Sequence, residues 1–456
     1  MEKRGRQEGI TTEQAKGRTQ RWQPLLPNLR RVNEAARRSG QTRFTALLHH
    51  VDVAALERAF RRQRRAASPG VDRVTVDEYE QDLEANLRDL HQRVHSGQYW
   101  PQPVRRTYIP KTDGSRRALG IPTLEDKIVQ GAVAEVLAAV YEADFLGFSH
   151  GFRPGRSPQT ALAALDEALM TQKVSYVLDV DIRTFFDSVD HGWLLRMIAH
   201  RIADRRVLRL IERWLKAGIL ESGRWEPVEV GTPQGSGISP ILANVFLHYI
   251  VDLWVHQWRR QQAAGQIIVC RYADDLVLGC QHEADGKKLL VALKDRLAHF
   301  GLSLHEGKTR LIAFGRFAAQ RRQAAGLRRP ETFDFLGFTH YCGETRSGRF
   351  MVKRKTQAKR MVRKLKILRE EMARRMHTPI REQHQWLCQV LRGHCQYYGV
   401  IFNYRALRAF KDCVVRLWRK TLSKRSQKGR MTWESFKKIL TVFPLPEPVI
   451  HQAWHR

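Results

Sequence analysis

Cysteine is scarce in this 456-residue chain, and no two cysteines form a Cys-x-x-Cys pair. The six are Cys270, Cys280, Cys342, Cys388, Cys395 and Cys413. Without such pairs a disulfide framework is not expected, and the thiols are predicted to be reduced in a cytosolic protein. One zinc site is a possible alternative, built from His384, Cys388, His394 and Cys395. Ordinary helical packing of these side chains is the favoured interpretation.

Long apolar runs are also missing. Gln130 and Glu135, for example, interrupt the stretch from Ile128 to Tyr141. A helix that spans a bilayer needs about 20 predominantly apolar residues, so none is expected. Met1 to Gln23 is polar and basic without an apolar core, which argues against a signal peptide. The sequence therefore predicts a protein without membrane segments that stays in the cytoplasm.

Acidic residues are few relative to basic ones. The chain has 46 Asp and Glu against 79 Lys and Arg, a formal net charge of +33. Such an excess implies a polyanionic partner, and binding should weaken steeply as the salt concentration rises. RNA or DNA is the expected partner. A membrane surface is the competing interpretation for a basic chain.

Length and periodicity predict two or three domains. Residues 1 to about 40 are basic with few periodic apolar positions, and we expect a flexible arm there. A helix is predicted from about Asp52 to Arg65, ended by the turn Ser68-Pro69-Gly70, and another from Ala85 to His95. Trp100 to Pro110 is expected to be extended.

From there to about Tyr341 the pattern is typical of an α+β unit, and past Phe350 it changes to long basic helices. Apolar residues recur in the latter at helical spacing, namely Met361, Leu365, Leu368 and Met372. The region also holds five aromatic residues: Trp386, Tyr397, Tyr398, Trp418 and Trp433. Rings among basic residues suit RNA, whose unpaired bases stack on them, although core packing is the alternative for some.

Two adjacent acids, Asp274 and Asp275, follow Tyr272-Ala273 between two short apolar runs, Ile267–Cys270 and Leu276–Cys280. The pattern predicts a hairpin with an acidic tip. Like charges so close repel unless a divalent cation neutralises them, which suggests a metal. On the tetrapeptide alone, a solvated Asp-Asp turn is an equally good interpretation.

A third acid, Asp181, stands at the end of a predicted strand. Apolar residues alternate along this strand, namely Val174, Tyr176, Leu178, Val180 and Ile182, with Asp179 and Asp181 on the other face. Beside the hairpin, Asp181 with Asp274 and Asp275 would hold two Mg²⁺ ions about 4 Å apart, an arrangement that activates a 3′-hydroxyl. In isolation Asp181 would be an ordinary strand-end acid or a helix N-cap.

The motifs resemble, in their order, those of bacterial group II intron-encoded proteins, which are reverse transcriptases and maturases. The resemblance runs from about Ser68 to about Trp454. It is carried by Ser68–Asp72, Ile109–Pro122, Gly151–Ser157, the Asp181 strand, Gly231–Ser236, the Tyr272 hairpin, Lys308-Thr309 and Phe335–Phe338. A second set is similar to the family's maturase segment: Trp386-Leu387, Leu391–His394, Gln396–Gly399 and Thr432–Glu434.

This resemblance implies an α+β fold in which the fingers and palm of a right-hand polymerase precede an α-helical thumb/maturase domain. The implied boundaries are 1–65 for a basic amino-terminal extension, 66–345 for fingers and palm and 346–456 for the helical thumb/maturase (X) domain. Many relatives end in an HNH nuclease with cysteine pairs. Because such pairs are absent before Arg456, no HNH endonuclease domain is expected.

The resemblance also implies roles for single residues. Lys111 and Arg117, which flank a predicted turn, would contact the triphosphate of the incoming nucleotide. Phe186 would be the gate that excludes a 2′-hydroxyl, and Gln234 would touch the nucleotide or the template. Lys308 would lie near the leaving pyrophosphate as an electrostatic aid or proton donor. The alternatives are a charged hairpin tip for Lys111 and Arg117, and a ring in the core for Phe186. For Gln234 the alternative is an ordinary loop, and for Lys308 it is a helix-capping lysine.

The function implied is RNA-directed DNA synthesis with two Mg²⁺ ions, which extends a DNA primer or target DNA with dNTPs on an RNA template. Binding of the parent group II intron RNA, to assist splicing and retrohoming, is implied by the maturase segment. The location would be the bacterial cytoplasm at the nucleoid. A domesticated defence or retron reverse transcriptase and a splicing-only RNA-binding maturase are the alternatives. The sequence does not decide the oligomeric state.

Overall fold

A computed structural model describes residues 27–110, 116–221, 224–227, 230–231, 236–425 and 431–451. The elements up to residue 226 are α1 (Pro27–Arg38), α2 (Val53–Arg61), α3 (Val76–Gln81), α4 (Leu83–Ser96), β1 (Val104–Pro110), β2 (Arg116–Ile121), α5 (Leu124–Tyr141), α6 (Pro158–Thr171), β3 (Tyr176–Asp181), α7 (His191–Ala199), α8 (Arg205–Lys216), β4 (Ile219–Glu221) and β5 (Arg224–Glu226).

The later elements begin with α9 (Ser239–Leu247) and a π-helical turn (His248–Asp252). They continue with α10 (Leu253–Gln261), β6 (Ile267–Tyr272), β7 (Asp275–Cys280), α11 (Glu283–His299), β8 (Arg310–Ala313), α12 (Ala318–Ala324), β9 (Thr332–Phe335), β10 (Phe338–Glu344), β11 (Phe350–Thr356), α13 (Ala358–Arg374), α14 (Ile380–Tyr398), α15 (Tyr404–Ser423) and α16 (Trp433–Val442).

The chain divides into two compact units. Unit 1 combines the chain up to Leu165 with Val180–Arg310, and unit 2 combines Asp166–Asp179 with the chain from Leu311. Strand β3 therefore starts in unit 2, whereas its last two residues belong to unit 1. The candidate acids Asp181, Asp274 and Asp275 all lie in unit 1.

Part of the amino-terminal segment is a helix rather than a flexible arm. Residues 27–38 form α1, in which Leu29, Val32 and Ala36 are buried. These residues recur at intervals of three and four, so they share one face of the helix, and α1 packs on α5. The prediction of an arm was wrong here because the abundant arginines obscured this short apolar face.

The two predicted helices that follow are confirmed. Helix α2 is shorter than expected, and Asp52 caps it by accepting a hydrogen bond from the Ala55 N–H at 2.7 Å. Helix α4 ends at Gly97, whose φ of 83° is the left-handed conformation that glycine adopts without strain. Both helices bury their apolar faces in unit 1.

Helix α5 is a buried element of unit 1, and its two polar interruptions have partners. Glu135 pairs with Arg58 at 3.4 Å and with Arg62. The Gln130 Oε1 accepts hydrogen bonds from Ser236 Oγ at 2.7 Å and from the Gly237 N–H at 3.0 Å. Within the described ranges, no helix is both long and apolar enough to cross a membrane.

The predicted hairpin, the predicted strand that ends at Asp181 and part of the predicted extended segment lie in two four-stranded sheets. The first has the order β2-β1-β4-β5, and its antiparallel β1–β2 pair places Pro110 opposite Arg116. The predicted extended segment from Trp100 thus becomes a strand only at Val104. The second sheet has the order β6-β7-β3-β8, so β7 is the neighbour of β3. Its β6–β7 pair is the predicted hairpin, with Tyr272 opposite Asp275.

Strand β3 is more deeply buried than a strand with one apolar face. Leu178 and Val180 are buried as predicted, but Val177 on the opposite face is also buried. The strand is therefore covered on both faces at its middle, which the alternating pattern did not indicate.

Unit 2 holds the sheet β11-β10-β9 and the four helices α13 to α16. The predicted long basic helices are confirmed, but they begin at Ala358 rather than just past Phe350, because Phe350–Thr356 forms β11. Their core is built around the fully buried Trp418, which donates a hydrogen bond to Gln383 Oε1 at 2.9 Å. Trp433, by contrast, is 44% exposed, and the Arg419 guanidinium lies 4.4 Å from the centre of its ring. The α+β class with a helical carboxy-terminal region is thus confirmed.

Candidate active site

Asp181 is the last residue of β3, and the segment before β8 fixes its backbone. The Asp181 carbonyl accepts a hydrogen bond from the His305 N–H at 2.8 Å, and its N–H donates to Thr309 Oγ1 at 3.4 Å. The carboxylate is 37% exposed and accepts a hydrogen bond from Lys308 Nζ at 2.9 Å. The strand end therefore presents a carboxylate to solvent in a defined position, with a cation already beside it.

Asp274 and Asp275 lie at the tip of the β6–β7 hairpin, as predicted. Ala273 and Asp274 form its two-residue turn, and Asp275 is the first residue of β7. Ala273 is buried and has a φ of 55°, in the left-handed region that alanine rarely adopts. Asp274 is half-buried and Asp275 is exposed. The tight turn lets two successive carboxylates point away from the core.

Helix α9 connects this hairpin to the chain that leaves β3. The Phe246 ring lies 6.4 Å from the ring of Phe185, which follows Asp181 by four residues. On the same helix, Asn244 accepts a hydrogen bond from Arg271 Nη1 at 3.0 Å, just before the hairpin turn. Helix α9 thus contacts both the segment that follows β3 and the strand that leads into the hairpin turn, and β3 and β7 are neighbours in the sheet.

The segment Gly151–Ser157 packs against the hairpin turn through the backbone of Gly151. A Cβ atom on Gly151 would lie 2.4 Å from the Ala273 nitrogen, so only glycine permits this approach. The next residue, Phe152, has a φ of 56°, and its ring lies 6.3 Å from that of Tyr272. Burial, followed by the charge of Asp275, raises the pKa of Tyr272 to about 12. The Tyr272 phenol is therefore harder to ionise than that of an exposed tyrosine.

The half-buried Phe186 lies in a short 3₁₀ turn after β3 and packs edge to face on Phe185, with the ring centres 5.2 Å apart. Gly231 packs against this turn: a Cβ atom there would lie 3.0 Å from the Phe186 carbonyl oxygen. Gly231 also has a φ of 97°, and its carbonyl oxygen lies 2.6 Å from His191 Nε2. The first glycine of the Gly231–Ser236 block is thus fixed to the turn that carries Phe186.

Three predicted nucleotide-binding groups fall outside the part of the chain that the structure describes. They are Lys111, Gln234 and the side chain of Arg117. Their surroundings are described: β1 and β2 pair as far as Pro110 and Arg116. Ser236 and Gly237, which follow Gln234, are bound to Gln130.

The three acids fit a hard divalent cation in their donor chemistry, because all supply carboxylate oxygens. The ammonium group of Lys308 on Asp181 also marks a position where a cation is favourable. However, the described residues include no group of three or more His, Cys, Asp or Glu side chains already gathered as a metal site. The backbone thus places one candidate ligand at the end of β3 and two at the tip of a hairpin whose strand β7 is the neighbour of β3.

The alternative of a zinc site in α14 has a packing explanation. His384 Nε2 lies 3.2 Å from Cys388 Sγ and 2.9 Å from the Pro444 carbonyl oxygen. His394 instead stacks on Phe410 with ring centres 3.8 Å apart, and burial lowers its pKa to about 3. Two of the four candidate zinc ligands, His384 and His394, therefore contact the Pro444 carbonyl oxygen and the Phe410 ring respectively.

Sequence reasoning missed the residues that support the site. Gln130, His191, Asn244, Asp252 and Arg271 are buried polar residues bonded to the candidate motifs or to one another. The available signal was the polar side chain itself: Arg271 interrupts an apolar strand, and Asn244 and Asp252 interrupt an apolar helical stretch. A buried polar residue needs a partner, and here the partner belongs to a site motif.

Comparison with known proteins agrees with this geometry. The family model described as reverse transcriptase (RNA-dependent DNA polymerase) matches residues 109–340, about half of the chain. The chain is 34% identical over 242 residues to "Protein YkfC" of Escherichia coli K12, covering 47% of this chain and 63% of that protein. It is 39% identical over 184 residues to "Group II intron-encoded protein LtrA" of Lactococcus lactis subsp. cremoris, covering 40% of this chain and 30% of that protein.

A fungal relative, "Putative COX1/OXI3 intron 2 protein" of Saccharomyces cerevisiae, is 34% identical over 162 residues, which is 35% of this chain and 19% of that protein. The matches thus span less than two thirds of these relatives' own lengths. The family match runs from the last two residues of β1 through the whole β6–β7 hairpin and into β10. The helices after β11 complete the α+β fold expected of fingers and palm followed by a helical thumb/maturase region. The chain belongs to the reverse transcriptase (RNA-dependent DNA polymerase) family.

Proposed function

We propose that the protein is an RNA-directed DNA polymerase of the kind that group II introns encode. The observation that carries this proposal is the position of Asp181 at the end of β3, next to the hairpin that carries Asp274 and Asp275. Carboxylate oxygens are the ligands that Mg²⁺ prefers, and paired metal ions held in this way serve polymerases in nucleotidyl transfer. When bound, the two Mg²⁺ ions would lower the pKa of the primer 3′-hydroxyl and stabilise the leaving pyrophosphate.

The chain's own residues would then bind and orient the substrates. Asp181, Asp274 and Asp275 would hold the metal, and the Phe186 ring would lie under the sugar of the incoming nucleotide. Lys111 and Arg117 would contact its triphosphate, and Gln234 would contact the nucleotide or the template. Lys308 would move from Asp181 towards the pyrophosphate once a metal neutralises the carboxylate, because its ammonium then loses its partner.

Primer extension tests the polymerase proposal. On a poly(rA)/oligo(dT) substrate with Mg²⁺, the native protein is expected to synthesise DNA, and Asp274→Asn to lose synthesis while it retains substrate binding. Asp295→Asn is a matched control, because Asp295 is exposed on α11 of the same unit. Equal synthesis by native protein and Asp274→Asn would overturn the assignment of the acids. No synthesis by either, with tight RNA binding, would favour a splicing-only maturase.

We also infer that the protein binds the RNA of a parent intron and promotes its splicing. Support comes from the net charge of +33, from the basic helices of unit 2 and from the similarity to an intron-encoded protein. A protein with this role should lower the Mg²⁺ concentration that its intron needs for splicing in vitro. An unchanged Mg²⁺ requirement with the cognate intron would count against the maturase role and leave the polymerase proposal intact.

The proposed domains are a basic extension over 1–65, fingers and palm over 66–345 and a thumb/maturase domain over 346–456. A protein with this charge that acts on intron RNA and its DNA target is expected at the nucleoid of a bacterial cytoplasm. Microscopy of a fluorescent fusion would test the location.

A further inference from the structure

Arg271 is a charged residue in the interior of unit 1. It lies in β6, two residues before Ala273, and its side chain is 1% exposed. Burial of a guanidinium group is strongly unfavourable unless its charge is paired and its N–H groups are bonded. The partners of Arg271 therefore indicate what the residue does in this position.

Every N–H donor of the guanidinium group has an acceptor. Nε and Nη2 bind the two oxygens of Asp252 at 2.6 and 2.5 Å, and Nη2 also donates to Ser149 Oγ at 2.7 Å. Nη1 donates to Asn244 Oδ1 at 3.0 Å and to the Ala273 carbonyl oxygen at 3.0 Å. Only arginine offers five N–H groups in a rigid fork, so no other side chain can make this set of bonds.

The bond to Ala273 acts on the turn that carries the two acids. Ala273 has a left-handed φ of 55°, which is unfavourable for alanine and persists only where the surroundings hold it. Arg271 Nη1 holds the carbonyl group of this residue, and the Gly151 backbone lies against its nitrogen. The peptide groups before and after the strained residue are thus both restrained.

Asn244 joins the two restraints. Its Oδ1 accepts from Arg271 Nη1, and its Nδ2 donates to the Gly151 carbonyl oxygen at 2.6 Å. Backbone bonds support the same connection, since the His150 N–H donates to the Arg271 carbonyl oxygen at 2.8 Å. The fully buried Asp252 supplies the compensating charge from the end of the π-helical turn after α9. π-Helical turns are frequent at functional sites.

We propose that Arg271 is a positioning residue for the reaction, which with Asn244 fixes the turn Ala273-Asp274 so that Asp274 and Asp275 are pre-oriented to bind the metal. This inference rests on the proposed function, because it assigns Arg271 to the same site. Neither Arg271 nor Asn244 touches substrate; both act through the backbone of the turn. Partners that orient metal ligands commonly change metal affinity about ten- to a hundredfold when they are replaced.

Arg271→Lys is the decisive variant. Lysine keeps the positive charge opposite Asp252, but a single ammonium cannot bind Asp252 and the Ala273 carbonyl in the geometry of the fork. We expect the variant to fold and to bind an RNA/DNA primer-template duplex as the native protein does. Its affinity for Mn²⁺, followed by electron paramagnetic resonance, should fall about tenfold or more, and the Mg²⁺ concentration for half-maximal synthesis should rise in parallel.

Arg201→Lys is the matched control. Arg201 is also 1% exposed in unit 1, where it pairs with Asp144 at 3.0 Å and donates to backbone carbonyls of the segment after α1. Its replacement should lower the melting temperature as much as Arg271→Lys does, but leave Mn²⁺ affinity unchanged. A folded Arg271→Lys protein with native Mn²⁺ affinity would overturn the proposal, as would equal losses of Mn²⁺ affinity in both variants.

Asn244→Ala provides a second test that keeps the Arg271–Asp252 ion pair. It should weaken Mn²⁺ binding in the same direction, and native Mn²⁺ affinity in this variant would also contradict the proposal. If both Arg271→Lys and Asn244→Ala unfold while Arg201→Lys folds, the network serves stability and the positioning role is wrong. Asp274→Asn distinguishes a failure of the proposed function from a failure of the role of Arg271. If this variant keeps native Mn²⁺ binding, the proposed function itself is wrong.

Discussion

Lys308 Nζ lies 2.9 Å from Asp181 Oδ2, so a side-chain cation occupies one oxygen of a proposed metal ligand. The pair is accessible to solvent, with 58% of the lysine side chain and 37% of the carboxylate side chain exposed. Exposed ion pairs of this kind contribute little to stability, so the lysine can be displaced at low cost. The pair therefore bears on metal binding more than on folding.

Replacement of Lys308 by Gln should separate two effects. Removal of a competing cation should lower the Mg²⁺ concentration for half-maximal synthesis, whereas loss of a group near the pyrophosphate should lower kcat by about tenfold or more. Steady-state primer extension over a Mg²⁺ titration measures both quantities. Lys294→Gln on α11 is the control, because that lysine is exposed in the same unit. A raised Mg²⁺ requirement would show that Lys308 does not compete with the metal.

Phe186→Ala should relax selection against ribonucleotides. The half-buried ring follows β3 closely and would leave no room for a 2′-hydroxyl beneath the incoming sugar. We expect the ratio of kcat/KM for rNTP to that for dNTP to rise about tenfold or more. Phe185→Leu serves as the comparison, because Phe185 is buried and its replacement should cost stability alone. The gate assignment fails if both variants select sugars as the native protein does.

Gly231→Ala should impair DNA synthesis, whereas the same replacement at Gly97, a glycine of similar conformation, should lower stability alone. The residue has a φ of 97°, and a Cβ atom would lie 3.0 Å from backbone atoms of Phe186 and Asp187. The left-handed conformation alone should cost about 1–2 kcal/mol, and the close contact would also displace the turn that carries Phe186. Gly97→Ala has a similar φ of 83° with open space around it. Melting temperatures should fall for both variants, with loss of dNTP affinity only for Gly231→Ala.

Stability should fall as the pH drops below about 6.5, partly because of His248. Burial, and then the positive charges of Arg271 and Arg153, lower the pKa of His248 to about 4, although Asp252 opposes the shift. Between this value and the ordinary value of 6.5 the unfolded chain binds a proton that the folded chain does not, so stability is lost as the pH falls. From pH 6.5 to 5 this residue should account for about 2 kcal/mol.

His248→Phe tests that contribution. The ring packs edge to face on Phe145 at 5.6 Å, a contact that phenylalanine can keep. The difference in melting temperature between pH 7 and pH 5 should be smaller in the variant than in the native protein. An unchanged difference would mean that His248 does not govern the acid response.

Much of this fold was predictable because periodicity and turn residues act locally. The hairpin around Asp274, the strand that ends at Asp181 and the helices beyond Phe350 follow from patterns within about ten residues. Helix α1 was missed because its apolar face is only three residues wide among many arginines. The network of Arg271 was not predictable, since its acceptors come from positions 149, 244, 252 and 273, and only the folded chain brings them together.

Because every N–H group of the Arg271 guanidinium is hydrogen-bonded, few substitutions at this site can be tolerated during evolution. Loss of Asp252 alone would leave an uncompensated buried cation, and loss of Arg271 alone would leave an uncompensated buried anion. Each single replacement is therefore harmful, whereas a joint replacement by apolar residues could fold and yet leave the Ala273 turn unsupported. Positions 252 and 271 should consequently co-vary among relatives that have given up synthesis, and stay invariant among those that still copy RNA.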